Sequence, residues 1–530
     1  MGNARVAPPG SPRKTIPASG PALVTLTCMP DNAPEAQARE FALAFRSFLD
    51  WVHSAEHDDS LRSVPDLIAG FLGADGVDHS VVTRELAPFE HVNLQTALDA
   101  WVARPGRRCE VQGLALPPHH APPALQQLVT AELVPLRLAP PALNDLPNGP
   151  GSTLGCLKLA LLLVTEPDRR YVVMVNGPAE HHPSLEVEVA GLPVDAAQAV
   201  LAELDELRAQ LNVYRGHLLD VSITPMGVSL GFAAPATLTR GDVVLPEAVL
   251  DRIERHALGV AKHRAALLAA GQHLKRGLLL YGPPGTGKTH TTRYLLGQMT
   301  SYTRLVLTGR ALAAVGTVTE MARALSPAVM ILEDVDLVAE DRSSGSRSNP
   351  VLFDLLDAMD GAAGDADLLF LLTTNRADLL ELALAARPGR VDVAVEIDLP
   401  DAVARERLLA LYGRGVPLDL TPDDIATAVE RTDGTTASFI KELIRRAVLE
   451  ALHDDTVPSE EDTVLPAVTG THLSRALDDL LDSAQGVTRT LLGVGVDPAT
   501  LPAGGLPDGT GPDAWLSARR RAMAVRGYRG

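Results

Sequence analysis

The fold of this chain is most constrained by a short glycine-rich segment between an apolar strand and a helix. Residues 277–289 read Gly-Leu-Leu-Leu-Tyr-Gly-Pro-Pro-Gly-Thr-Gly-Lys-Thr, and the helical stretch Thr291–Met299 follows. Glycines in such a turn let backbone N–H groups close around phosphates, and the helix N-terminus adds the positive end of its dipole. The order of strand, loop and helix therefore predicts a phosphate-binding loop within an α/β sheet.

Two side chains of this loop have expected chemical roles. Lys288 is expected to reach the β- and γ-phosphates of a nucleotide, and the Thr289 hydroxyl to ligate Mg²⁺. A glycine-rich turn with an incidental lysine is the alternative, and the flanking strand and helix argue against it. The predicted nucleotide contacts are Gly282, Pro283, Pro284, Gly285, Thr286, Gly287, Lys288, Thr289 and His290.

A second acidic site follows a later strand. The apolar run 328–332 has the composition of a central parallel strand, and it ends in Glu333-Asp334-Val335-Asp336. We expect one of these carboxylates to hold Mg²⁺ through water and the next to orient the attacking water. An acidic cap at the end of a strand is the structural alternative.

Composition excludes several classes of protein. A net charge of −19 and a pI near 5.2 argue against nucleic-acid binding. Three well-separated cysteines fit a reducing compartment without a disulfide or zinc framework. No apolar run approaches the roughly 18 residues of a membrane span, so a cytoplasmic location without a membrane span is expected. The pairs His119-His120 and His181-His182 are predicted to be surface loop residues.

Changes in composition and periodicity divide the chain. The core should contain strands at Gly277–Tyr281, Arg304–Leu307, Val329–Leu332, Leu368–Leu372 and Val391–Ile397. Strands alternating with helices predict a parallel sheet with helices on both faces. The expected parts are a disordered N-terminus (1–34), an α+β N-terminal substrate or adaptor domain (35–235), the core (243–400), a small helical lid (401–482) and a flexible arginine-containing tail (493–530).

From Leu245 to about Leu480 the chain resembles the classical AAA clade of the AAA+ ATPases. Thr373-Thr374-Asn375 resembles the sensor 1 segment, 384–390 resembles the arginine-finger segment and 434–440 resembles the lid motif. The resemblance implies ATP and Mg²⁺ as cofactors and a homohexameric ring. It also implies individual roles. Asn375 would position the attacking water, Arg387 and Arg390 would act on a neighbour's nucleotide, and Tyr412 and Gly434 would lie near the adenine.

The sequence departs from that clade at four places. The strand-end acids read Glu333-Asp334, whereas the usual order is Asp-Glu. Because both carboxylates remain, the resemblance implies Glu333 as the Mg²⁺ ligand and Asp334 as the base that orients the attacking water and accepts its proton. Ala314-Val315-Gly316 stands where a pore loop usually has an aromatic residue, Tyr412 replaces a frequent histidine, and Ala362 replaces a usual phenylalanine. These departures bear on hydrolysis rate, polypeptide threading and subunit coordination more than on ATP binding.

Two functions follow as expectations. The first is an ATP-hydrolysing ring that remodels a protein client, and the alternative is a slowly hydrolysing nucleotide-dependent switch or scaffold. An ATP-dependent zinc protease lacks support because the sequence contains no His-Glu-x-x-His. A DNA-handling AAA+ protein fits poorly with the acidic charge. The client, and the fold of 35–235 beyond its α+β class, are not predicted.

Overall fold

The computed structural model describes residues 41, 43–47, 63–73, 80–116, 120–130, 136–179, 182–336, 359, 366–376, 391–454 and 466–482. The chain separates into a unit of residues 1–63 and a unit of residues 64–530. In the first unit, residues 41 and 43–47 are helical, inside the stretch whose periodicity is typical of a helix. The expected disordered N-terminus and arginine-containing tail lie outside the described residues.

The first part of the larger unit is built on an antiparallel sheet. Its strands are β1 (Val82–Leu86), β2 (Arg108–Ala115), β3 (Arg137–Ala139), β6 (Leu159–Thr165), β7 (Arg170–Asn176) and β8 (Leu185–Ala190), in the order β1-β8-β7-β6-β2-β3. A separate hairpin comprises β4 (Leu143–Gly149) and β5 (Ser152–Leu157). Residues of β6 and β7 are buried on both faces, which explains their nearly continuous apolar sequences.

Helices cover both faces of this antiparallel sheet. On one face α2 (His91–Val102) and α4 (Val194–Gln210) surround the buried Trp101. On the other, α1 (Val64–Leu72) and α3 (Leu125–Val129) pack through Ile68 and Leu125. The α+β character expected for this region is therefore observed.

The second sheet has seven strands and carries the phosphate loop. They are β9 (Leu218–Thr224), β10 (Gly227–Ala233), β11 (Arg276–Tyr281), β12 (Thr303–Thr308), β13 (Ala328–Glu333), β14 (Leu368–Thr374) and β15 (Val393–Glu396), in the order β10-β9-β12-β13-β14-β11-β15. All neighbouring pairs are parallel except β9 and β10. All five strands predicted from the sequence are present.

Helices lie on both faces of the seven-stranded sheet, as expected. The helices α5 (Glu247–Ala269) and α6 (Lys288–Gln298) pack against one face, and α7 (Val315–Ala324) packs against the other. The sheet begins earlier in the chain than the expected start of the core at residue 243, because β9 pairs with β12. Periodicity identifies a strand near Leu218 but does not identify its partner.

The last described part is a small helical lid. It contains α8 (Ala402–Tyr412), α9 (Pro422–Arg431), α10 (Ala437–Asp454) and α11 (Gly470–Leu481), with the short parallel pair β16 (Leu418–Asp419) and β17 (Val468–Thr469). Phe439, Ile440 and Leu443 of α10 are fully buried in its core. The apolar faces of short helices thus form a separate cluster beside the sheet.

Candidate functional site

The phosphate loop connects β11 to α6 and requires glycine at two positions. Gly282 has φ of 142°, and a Cβ there would lie 2.2 Å from the Ile397 carbonyl oxygen. Gly287 precedes the first turn of α6 with φ of 105°. Residues with a Cβ rarely adopt either conformation, so the glycines allow the tight turn that aims the α6 N-terminus at the loop.

Lys288 is buried at the start of α6. Its Nζ donates hydrogen bonds to the carbonyl oxygens of Gly282 (2.8 Å) and Pro283 (2.7 Å). Burial lowers the pKa of Lys288 to about 8, and the charges of Asp334 and Asp336 oppose that shift. The ammonium group therefore lies in the loop and within the electrostatic field of the acidic strand end.

The acids at the end of β13 occupy different surroundings. Burial raises the pKa of the Glu333 carboxyl, Arg293 opposes the increase, and Asp334 and Asp220 add to it. Asp334 has φ of 51°, in the left-handed region. Such a backbone costs on the order of 1–3 kcal/mol and occurs preferentially at functional sites. The two neighbouring carboxyls are therefore distinguished by position and by backbone conformation.

Asn375, the residue that the resemblance to sensor 1 singles out, lies beside Asp334. Its Nδ2 is 3.5 Å from Asp334 Oδ1, at the outer limit of a hydrogen bond. The two residues follow β14 and β13, which are neighbours in the sheet. The carboxyl edge of the parallel strands thus brings together Lys288, Asp334 and Asn375 from three separate segments.

The donor set suits a hard cation. The two predicted ligands, the Thr289 hydroxyl and the Glu333 carboxylate, would present oxygen atoms, which Mg²⁺ prefers. Among the residues that the structure describes, no group of three or more His, Cys, Asp and Glu side chains could hold a metal by itself. A cation here would therefore take its remaining ligands from water and phosphate, as is usual for Mg²⁺ bound with a nucleotide.

The lid contacts the loop directly. The Ser438 backbone N–H at the start of α10 donates to the Gly285 carbonyl oxygen (3.1 Å). Ser438 and Tyr412 also line a pocket of about 460 Å³. Gly434, with φ of 69°, forms the turn before α10. Of the lid residues expected beside the adenine, Tyr412 thus shares a pocket with Ser438, and Gly434 lies in the turn before the helix that carries Ser438.

Some predicted residues have other surroundings or cannot be placed. The His290 side chain is exposed, and its Nε2 lies 3.0 Å from the Asp242 carbonyl oxygen, outside the loop. Arg387 and Arg390 lie outside the described residues, as does Ala362. The sequence interpretation assigned no role to Asp336, Thr373 or Thr374. Asp336 lies within the acidic segment that the sequence identifies, but its hydrogen-bond partners, Thr374 and Asn375, are revealed only by the fold.

Comparisons with known proteins agree with this geometry. A family model described as "ATPase family associated with various cellular activities (AAA)" matches residues 278–399. The chain contains an AAA domain. The expected resemblance and α/β fold are confirmed for this domain, which carries the phosphate loop, the acidic strand end and Asn375.

Curated relatives match about a third of the chain. An ATP-dependent zinc metalloprotease FtsH from Mycoplasmopsis synoviae is 33% identical over 201 residues, covering 35% of this chain and 30% of that protein. One from Thermus thermophilus is 32% identical over 198 residues, covering 35% and 31%. The chain thus spans about a third of the length of these relatives. The crystal structure of the FIGL-1 AAA domain with ADP aligns at 21% identity and a TM-score of 0.39, over 49% of this chain and 93% of that one.

Two further observations concern membrane and protease chemistry. Among the described residues, no helix is both long and apolar enough to cross a membrane. The chain has no His-Glu-x-x-His segment.

Proposed function

We propose that this protein binds ATP with Mg²⁺ and hydrolyses it to ADP and phosphate. The observation that carries the proposal is the convergence of Lys288, Asp334 and Asn375 at one edge of the sheet. Lys288 would hold the β- and γ-phosphates, while Thr289 and Glu333 would hold the cation. Asp334 would accept a proton from the attacking water, and Asn375 would hold that water in place.

We further propose a ring of identical chains, hexameric in the family it resembles. In that arrangement Arg387 and Arg390 of one chain would stabilise negative charge on the γ-phosphate of the next. A protein client or complex would be remodelled through the N-terminal region. The acidic composition of the chain supports a protein client over a nucleic acid.

The pore-loop position supports remodelling rather than threading. Ala314 ends a 3₁₀ helix, Gly309–Ala314, and α7 begins at the next residue. Val315 is fully buried in the core beneath the sheet. A residue packed in this way cannot grip a polypeptide, so the client would be engaged elsewhere.

A slowly hydrolysing switch or scaffold is the second candidate. It is favoured by the Glu333-Asp334 order, because the shorter Asp334 side chain must reach the attacking water. The separation of 3.5 Å between Asp334 and Asn375 is compatible with either function.

The test compares bound ATP and released phosphate for the wild type and Asp334→Asn. The amide cannot accept a proton, so the variant should retain ATP and release phosphate at least about 100-fold more slowly. Slow wild-type turnover with tight ATP binding would select the switch. Wild-type turnover by the variant would contradict the role given to Asp334.

A further inference from the structure

The chain segments at the ends of β13 and β14 are hydrogen-bonded to each other beside the acidic site. The Asp334 backbone N–H donates to Thr373 Oγ1 (3.0 Å), and the Val335 N–H donates to the Thr373 carbonyl oxygen (3.0 Å). Thr373 is fully buried. These two bonds hold the left-handed backbone at Asp334 against the end of β14.

A second set of bonds runs in the opposite direction, from the end of β14 to Asp336. One carboxylate oxygen, Oδ1, accepts from Thr374 Oγ1 (2.8 Å) and from the Asn375 backbone N–H (3.1 Å). Thr374 Oγ1 in turn accepts from the Arg376 N–H (3.0 Å). Asp336 therefore binds the backbone before the Asn375 Cα, and the Thr374 hydroxyl that it binds holds the backbone after it.

Asp336 is buried, unlike an acidic residue that caps a strand end at the surface. The residue is only 6% exposed, and no ion pair is found for it among the described residues. Burying a carboxylate without hydrogen bonds costs free energy, so the two donors at the end of β14 stabilise the Asp336 side chain. The same bonds fix the positions of the two donors. Its charge also acts on Lys288, across the site.

We propose that Asp336, acting through Thr374, is a positioning residue that fixes Asn375 opposite Asp334. This inference rests on the proposed ATP hydrolysis. Asp336 itself does not contact the reacting atoms. Asn375 and Asp334 must present an amide and a carboxylate to the same water molecule, and small displacements of such groups reduce rates strongly. Removing the Asp336 contacts would leave both side chains present but wrongly spaced.

The experiment measures kcat and the ATP dissociation constant for Asp336→Ala, Thr374→Val and Thr374→Ser. Asparagine would keep an Oδ1 acceptor, whereas alanine removes the acceptor of both bonds. We expect kcat to fall about 10–100-fold in Asp336→Ala and Thr374→Val, with ATP affinity within about threefold of the wild type. Thr374→Ser keeps the hydroxyl and should restore most of the rate. The loss in the double variant Asp336→Ala/Thr374→Val should be smaller than the product of the two single losses, because the two residues share a hydrogen bond.

Asp168→Ala, on an exposed loop of the antiparallel sheet, is the matched control and should match the wild type. Urea midpoints verify folding, and the Thr374→Val and Thr374→Ser pair decides the outcome if Asp336→Ala does not fold. Unchanged kcat in folded Asp336→Ala or Thr374→Val would overturn the inference, as would an equal loss in Thr374→Ser. A loss of ATP affinity instead of kcat would also overturn it. Absence of wild-type turnover would instead remove the proposed hydrolysis itself.

Discussion

At the scale of single residues, the buried ammonium group of Lys288 makes ATP binding depend on pH. Its pKa in the free protein, about 8, is below the ordinary lysine value of 10.5 because burial disfavours the charge. Bound phosphates favour the charged form and raise that pKa. ATP affinity should therefore be insensitive to this group well below pH 8. It should fall by up to about tenfold per pH unit above that value.

The measurement is the ATP dissociation constant between pH 6.5 and 9.5 for the wild type and Lys288→Arg. Arginine stays charged throughout this range, so the variant should lack the decline above pH 8, whatever its absolute affinity. An equal decline in both proteins would assign the pH effect to another group.

The acidic strand end shows what sequence can and cannot supply at this scale. Glu333 and Asp334 were predictable because they follow a recognisable apolar strand directly. The contact between Asp336 and Thr374 joins residues 38 positions apart and depends on β13 and β14 being neighbours. The left-handed backbone at Asp334 could not be predicted, because aspartate adopts that conformation more often than most residues but still in a small minority of cases.

At the scale of elements, the hairpin of β9 and β10 belongs to the seven-stranded sheet. Four of its residues are buried there: Leu218, Leu219, Val221 and Leu230. At about 1.5–3 kcal/mol for each buried side chain, they contribute on the order of 6–12 kcal/mol as an upper bound. That is comparable to the whole stability of a typical domain.

Hydrogen bonds join the segment before β9 to β12 and to the end of α7. The Arg304 guanidinium is buried and donates to the carbonyl oxygens of Leu296 and Gly216, both at 3.0 Å. Arg215 donates to the carbonyl oxygens of Ala324 and Ser326, both at 3.2 Å, at the end of α7. The segment that connects the N-terminal region to the AAA domain is therefore held to that domain by hydrogen bonds.

Two truncations test the contribution of the hairpin. A chain starting at residue 212 keeps β9, β10 and the junction, and should remain folded and turn over ATP. A chain starting at residue 236 loses the hairpin and exposes the edge of β12, so its urea midpoint and soluble yield should fall sharply. Equal stability and turnover of the two chains would show that the hairpin is dispensable to the domain.

The strands of the core were predictable because each is a short apolar run beside a turn or a motif. The strand order was not, because it is set by which apolar faces α5, α6 and α7 cover after folding. The antiparallel order β1-β8-β7-β6-β2-β3 likewise joins strands about 100 residues apart. Alternation of apolar residues identifies such strands without identifying their partners.

At the scale of the whole molecule, the proposed ring makes ATP turnover a shared property of neighbouring chains. If Arg387 completes the next chain's site, phosphate release per chain should rise with protein concentration. Mixing Arg387→Ala with Lys288→Ala chains should restore turnover, because some interfaces would pair an intact loop with an intact arginine. Concentration-independent turnover without rescue on mixing would show that each chain acts alone.

The most direct test of ATP hydrolysis at this site is phosphate release by Lys288→Ala at a saturating ATP concentration. The matched control is Lys262→Ala, which removes an exposed lysine of α5. Lys288 supplies the main charge on the β- and γ-phosphates. The account therefore predicts that Lys288→Ala loses ATP binding or turnover by at least about 100-fold, while Lys262→Ala matches the wild type. Wild-type phosphate release by Lys288→Ala would contradict the assignment of the site.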